Sequence, residues 1–185
     1  MIRYLIFLLF TIYSHTVVSQ ITISGLSSNW DDSFSEWTIF GFDGDKEIEG
    51  ELRLKWPLRS NWTEWVIDNL DEVRIQIKQK YPNNTDLWEL RSGNDIVTIQ
   101  TKWRKDITSW RIKYDKHNIT WRTEYANDLN YWYFEDDKLG FLEMFTIYPN
   151  DVRDWEIVDQ TIEDVPLIVK IACVFVTSYF SSPKK

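Results

Sequence analysis

Between residues 46 and 125 apolar and polar side chains alternate in short runs. Ile48, Leu52, Leu54 and Trp56 share one parity, with Glu49, Glu51, Arg53 and Lys55 on the other. Val73, Ile75, Ile77 and Tyr81 oppose Arg74, Gln76, Lys78 and Lys80, and the scheme returns at Val97, Ile99 and Trp103 and at Ile119, Trp121 and Tyr125. A period of two marks half-buried strand. A second kind of segment stands between these runs, reading Trp, any residue, large apolar: Trp37-Thr38-Ile39, Trp65-Val66-Ile67, Trp88-Glu89-Leu90, Trp110-Arg111-Ile112, Trp132-Tyr133-Phe134 and Trp155-Glu156-Ile157. The intervals are 28, 23, 22, 22 and 23 residues. Another aromatic (Trp30, Trp56, Tyr81, Trp103, Tyr125 or Tyr148) precedes each Trp by seven residues, or by nine in one case.

Turn-forming residues punctuate both kinds of segment. They fall between the paired aromatics, as at Asp31-Asp32-Ser33, Pro82-Asn83-Asn84 and Pro149-Asn150-Asp151, and again after each Trp strand, as at Asp43-Gly44-Asp45, Gly93-Asn94 and Lys116-His117-Asn118. Each repeat therefore reads as an antiparallel hairpin. Six Trp strands, five alternating strands and an opening strand over 21–30 make twelve in one meander, wide enough to close into a barrel without edges. The fifth alternating strand, 139–148, is apolar on both parities, with Phe141, Phe145 and Ile147 against Leu142, Met144 and Tyr148.

The chain then leaves the repeat. Residues 165–180 are almost wholly apolar, and sixteen residues is long for a strand, so the segment predicts a helix over about 164–181. Asp164 is its expected cap, Pro166 suits the first turn, Pro183 ends the run and Lys184-Lys185 complement the helix dipole. The competing reading is a C-terminal membrane anchor, but the run is about four residues short of a span and contains Lys170. A helix apolar on nearly all sides must be buried on all sides, which places it inside the barrel with the repeat tryptophans wedged between wall and helix. Trp62, outside the register, is the aromatic expected at the surface. Lys170 is expected to reach the barrel mouth along its own stem, with Glu143 as the acidic partner should it stay inside.

Twelve antiparallel strands followed by the apolar helix of 165–180 resemble the tubby-like superfamily: tubby C-terminal domains, phospholipid scramblases and plant LURP-one-related proteins. In detail the Trp-x-apolar repeats are similar to exported proteins typical of the Bacteroidetes. The resemblance spans nearly the whole chain after residue 19 and rests on architecture. It implies membrane or lipid association. Phosphoinositide binding through a basic pocket is not carried over, because Lys and Arg are scattered among Glu and Asp with no dense basic cluster.

Composition adds the compartment and removes partners. Residues 1–19 have a basic end at Arg3, a short apolar middle and a small residue at Ser19, the layout of a secretory signal peptide, leaving 20–185 as a single domain. Export to a periplasmic or extracellular site is expected. A chain rich in Asn, Lys, Ile and Tyr with one Cys reads as bacterial, so the sequons at Asn61, Asn83 and Asn118 matter only in a glycosylating host. The charge is −8, and loss of Arg3 leaves 20 Lys and Arg against 29 Asp and Glu, or −9. Nucleic acid is excluded as a partner, and one Cys rules out an internal disulfide and Cys-rich zinc frameworks.

Candidate chemistry is thin. His117 reads as a hairpin-tip residue and Cys173 as packing in the helix, so no nucleophilic triad is expected. Glu135-Asp136-Asp137 and Asp31-Asp32 are paired carboxylates of the kind a glycan hydrolase uses, here read as solvated turns. Asp43-Gly44-Asp45-Lys46-Glu47 has calcium-loop character, but Ile48 stands where an EF-hand needs Gly. The expectation is a non-enzymatic domain with no cofactor, no metal and no catalytic residue. Its partner would be a lipid, an envelope component or a protein. The alternatives are a carboxylate-dependent hydrolase of an envelope glycan and a purely structural envelope protein.

Overall fold

The computed structural model describes residues 20–57, 61–70 and 73–184, so the expected signal peptide over 1–19 lies outside the described residues. Twelve strands follow in order: β1 Ile21–Ser28, β2 Glu36–Asp43, β3 Lys46–Leu54, β4 Glu64–Leu70, β5 Val73–Gln79, β6 Leu87–Ser92, β7 Asp95–Thr101, β8 Ser109–Tyr114, β9 His117–Thr123, β10 Tyr131–Asp136, β11 Gly140–Tyr148 and β12 Asp151–Thr161. Each pairs antiparallel with its neighbours in sequence, and β12 returns to β1 through Gly25↔Glu156, Leu26↔Trp155 and Ser27↔Asp154, closing the barrel.

Odd strands run towards one end and even strands return from it. At the far end, the turn end, connections are short and use left-handed residues: Gly44 (φ 60°), Gly93 (φ 55°) and Asp115 (φ 46°). At the other, the loop end, five of the six connections are longer: 29–35, 55–63, 80–86, 102–108 and 124–130. Gly41 on β2 allows the close approach of β1 beside its bulge at Ile23/Gly25; a methyl group there would lie 2.4 Å from the Thr22 carbonyl oxygen.

The helix α1, Leu167–Ser181, returns through the barrel from the turn end with the run from Ile168 to Tyr179 buried. It begins later than the sequence suggests. Asp164 does not cap it; Pro166 occupies the N-cap position with no side-chain bond, while the Asp164 carboxylate lies 3.9 Å from Lys116. Pro166 is the reason: its ring disfavours helical backbone at Val165, so Pro166 itself, with an extended ψ of 152°, takes the N-cap place and its carbonyl accepts from Val169. At the other end Lys184 donates to the carbonyls of Tyr179 and Ser182, so the basic tail does meet the last helical turn. Among the described residues no helix is long and apolar enough to cross a membrane, which says nothing of the strands.

The repeat tryptophans Trp37, Trp65, Trp88, Trp110, Trp132 and Trp155 all face inward and are fully buried. Phe175 lies 4.9 Å and Tyr179 4.8 Å from the Trp88 ring, edge-on, and Phe180 packs 4.4 Å from Trp110. Trp121 joins them from β9, donating from Nε1 to Thr177 Oγ1 of the helix at 3.1 Å.

Lys170 corrects the sequence reading twice. It neither reaches the barrel mouth nor meets Glu143, which lies beside the Tyr131 hydroxyl. Its Nζ donates to Asp159 Oδ2 and to the Ile21 carbonyl, both at 2.8 Å, and the ion pair is sealed from solvent. Asp159 also accepts from Ile23 N, Thr161 N and Thr161 Oγ1, so one carboxylate ties the helix to both strands at the closing seam. Burial pulls Lys170 below the usual lysine range despite the opposing hydrogen bond and charge of Asp159.

The buried Tyr179 phenol sets an alkaline limit. Burial pushes it up to about 12, whereas in the unfolded chain it ionises near 10. A group whose folded value is raised contributes fully below its unfolded value, and that contribution disappears as pH rises from about 10 to about 12. The melting temperature should therefore fall through this interval. Tyr179→Phe should flatten part of the fall, leaving the share of Tyr131, which burial and then Glu143 also raise to about 12; an unchanged profile in the variant would contradict this assignment.

Candidate functional site

Every loop-end connection repeats one device. Four residues before each repeat Trp an Asn, Asp or Ser accepts from the backbone N–H two residues on: Ser33 from Ser35, Asn61 from Thr63, Asn84 from Asp86, Asp106 from Thr108, Asp128 from Asn130 and Asp151 from Arg153. The Trp Nε1 then donates to the carbonyl three residues upstream: Trp37 to Phe34, Trp65 to Trp62, Trp88 to Thr85, Trp110 to Ile107, Trp132 to Leu129 and Trp155 to Val152, at 2.8–3.1 Å. The indole thus fills the core with its rings and pins its own loop with its nitrogen.

The device sets the place of the upstream aromatic. In three loops its carbonyl accepts from the Asn or Asp three residues on (Tyr81 from Asn84, Trp103 from Asp106, Tyr125 from Asp128), so the aromatic opens a tight turn beyond the last ladder bond. All six, Trp30, Trp56, Tyr81, Trp103, Tyr125 and Tyr148, are between 45% and 67% exposed. This overturns the parity reading, which put Trp56, Tyr81, Trp103 and Tyr125 on the inner faces of their strands. Trp62 is the converse: expected at the surface, it is half-buried, 5.7 Å from Trp65 and packed on the core. The loop end therefore carries a crown of six exposed aromatics, one at each connection.

No family model, curated protein or solved structure matches this chain. The crown must be read from its own chemistry.

Its charge is divided into sectors. Asp31 and Asp32 stand beside Trp30, and Glu124 and Asp128 beside Tyr125. The opposite arc is basic: Lys55 Nζ lies 5.4 Å from the Trp56 ring, and Lys102, Arg104 and Lys105 surround Trp103 on a single loop. A cleft of about 670 Å³ opens between that loop and the preceding one, lined by Asn83, Asn84, Asp86, Gln100 and these three cations. The fold sets the closely spaced cations Lys102, Arg104 and Lys105 beside Asn83, Asn84 and Asp86 of the preceding loop.

The remaining candidates are not brought together. His117 opens β9, half-buried and paired with Tyr114 across the turn at 115–116. Cys173 is completely buried in the helix, where burial pushes its thiol well above the usual range and suppresses the thiolate a nucleophile needs. Asp136 Oδ1 accepts from the backbone of Lys138 and Leu139, holding the β10–β11 turn, and with Glu135 it borders a cavity of about 210 Å³ beside the short β9–β10 pairing. Asp31 meets Arg153 at 3.4 Å at the loop end, and Asp43 and Lys46 face each other across the β2–β3 turn. Asn83 and Asn118 are exposed, whereas the amide oxygen of Asn61 is engaged by Thr63. Among the described residues no group of three or more His, Cys, Asp or Glu is arranged to hold a metal ion.

Sequence reasoning found the paired aromatics but missed that one partner stays outside. The signal was present: the Asn, Asp or Ser four residues before each repeat Trp marks a turn that ends the strand.

Proposed function

We propose that the protein is a non-enzymatic recognition domain whose aromatic crown rests on a lipid surface. The observation that carries this reading is the placement of six exposed Trp and Tyr side chains, one at each connection on one end of the barrel. Trp and Tyr combine an apolar ring with a polar atom and suit the boundary between acyl chains and headgroups. If each half-exposed ring gains on the order of 1 kcal/mol there, a fraction of the value for complete burial, the six together give reversible attachment comparable to one myristoyl chain, K about 10⁴ M⁻¹. With a chain charge of −8, apolar insertion rather than attraction to anionic lipid drives the contact.

The resemblance of a twelve-stranded barrel with a C-terminal helix to the tubby-like superfamily, whose members act at membranes, supports the same reading. So does the signal-peptide layout of residues 1–19, which would deliver the domain to a bacterial periplasm or the cell exterior, against an envelope lipid. Flotation with phosphatidylcholine vesicles, and with vesicles also containing phosphatidylglycerol, tests the proposal. Co-flotation is expected with both, falling about tenfold or more when Trp30, Trp56 and Trp103 are all replaced by Ala, since tenfold corresponds to about 1.4 kcal/mol. Absence of flotation with either vesicle, or a triple variant that floats like the parent, would defeat it.

A further inference from the structure

We infer that the cleft between the loops 80–86 and 102–108 is a binding site for an acidic saccharide, a sugar chain carrying carboxylate groups. Its volume of about 670 Å³ lies within the range of small-molecule sites, about 300–1,000 Å³. Three features select the ligand. Lys102, Arg104 and Lys105 all border the cleft, and among the described residues none of their side chains has an ion-pair partner. In a chain of charge −8 about half of the other described cations are ion-paired, as Arg53 is with Glu51 and Asp68, Lys55 with Glu64 and Arg91 with Glu89; what sets the cleft apart is that three cations without an ion pair share one lining.

The two carboxylates nearest the cations are held otherwise. Asp86 Oδ2 accepts from Lys105 N at 3.3 Å, and Asp106 Oδ1 accepts from Thr108 N and Oγ1. The Asp86 carboxylate nevertheless borders the cleft, and it decides against a compact phosphate, which would face its charge at close range. A saccharide spreads its groups. Its hydroxyls donate to Asp86, Asn83 and Gln100, while its carboxylate, several ångströms away, meets Arg104 and Lys105. Trp103, 67% exposed, lies between Lys102 and Arg104 but outside the cleft lining, so a pyranose ring that stacks on it belongs to the part of the sugar chain extending beyond the cleft.

The inference does not depend on crown docking, and the two fail separately. Titration calorimetry and amide chemical-shift mapping on the protein, with a tetragalacturonate as probe, its methyl ester as uncharged comparison and inorganic phosphate as competitor, read the site directly. Saturable binding is expected, with shifts concentrated at 83–87 and 100–105 and affinity at least about tenfold weaker for the ester, as for loss of a charge-assisted contact. Arg104→Gln with Lys105→Gln should weaken the acid about tenfold or more without weakening the ester. All the substituted positions are exposed, so folding is retained, and the shift map of the unsubstituted chain is an independent readout. Equal affinity for acid and ester, displacement by phosphate, shifts located elsewhere, or no saturation would each overturn the assignment.

Discussion

Asp159→Ala is expected to destabilise the fold by about 3–5 kcal/mol, the cost of leaving a buried charge without its partner. The substitution strands the Lys170 ammonium, the N–H groups of Ile23 and Thr161 and the Thr161 hydroxyl inside the closing seam. Urea unfolding gives the magnitude. The sign with pH is also fixed: burial already lowers Lys170 below its unfolded value near 10.5, and removing Asp159 takes away the influences that oppose it. The unfolded chain then binds the proton more tightly, so the variant gains stability as pH rises from its lowered folded value towards 10.5. Asp159→Leu combined with Lys170→Met should be close to neutral or better, because both desolvation costs vanish together. A single variant as stable as the parent would show that the seam does not rely on this pair.

Trp88→Ala is the second large effect, at about 3–5 kcal/mol for deleting a buried indole. The lost ring touches Phe175 and Tyr179 of the helix, and the lost Nε1 releases the Thr85 carbonyl at the base of its loop. Trp88→Phe separates the two roles, keeping much of the apolar volume but not the loop anchor, for a smaller loss that includes about 1 kcal/mol for the hydrogen bond. Trp103→Ala, fifteen residues further on and exposed, should stay within about 0.5 kcal/mol of the parent. Thermal unfolding of the three variants side by side distinguishes the inner from the outer tryptophans; equal losses at residues 88 and 103 would contradict the division.

That division shows where the sequence ceased to be informative. The strand count, the hairpin order, the closed wall and the enclosed helix were legible, because period-two alternation and a sixteen-residue apolar run leave few other arrangements. Parity, however, has meaning only while the backbone stays extended. Trp103 keeps the parity of Val97 and Ile99, yet the last bond to a neighbouring strand is made by Lys102 N–H to the Ser109 carbonyl, and the Trp103 carbonyl already accepts from Asp106 in a turn. Composition could not help, since the inner and outer rings are both aromatic. The partner of Lys170 was hidden differently. Glu143 and Asp159 are equally plausible acids until the rotation of the helix within the wall is known, and the packing that fixes it involves residues from most of the strands. The basic run Lys102-Trp103-Arg104-Lys105 stood in the sequence, but the cleft did not, because only the fold brings the loop of Asn83 beside it.

The pairing of β1 with β12 bears on how such a molecule is made. A nascent chain that has exposed eleven strands still has an unpaired edge along β1 and an empty, aromatic-lined interior, because both the last staple and the filling helix come from residues beyond 150. Contacts between segments some 130 residues apart form late and slowly, and partly closed sheets are prone to associate with one another. Closure should therefore be the last step of folding, and a holding chaperone acting until β12 and α1 are in place would spare the incomplete sheet from aggregation.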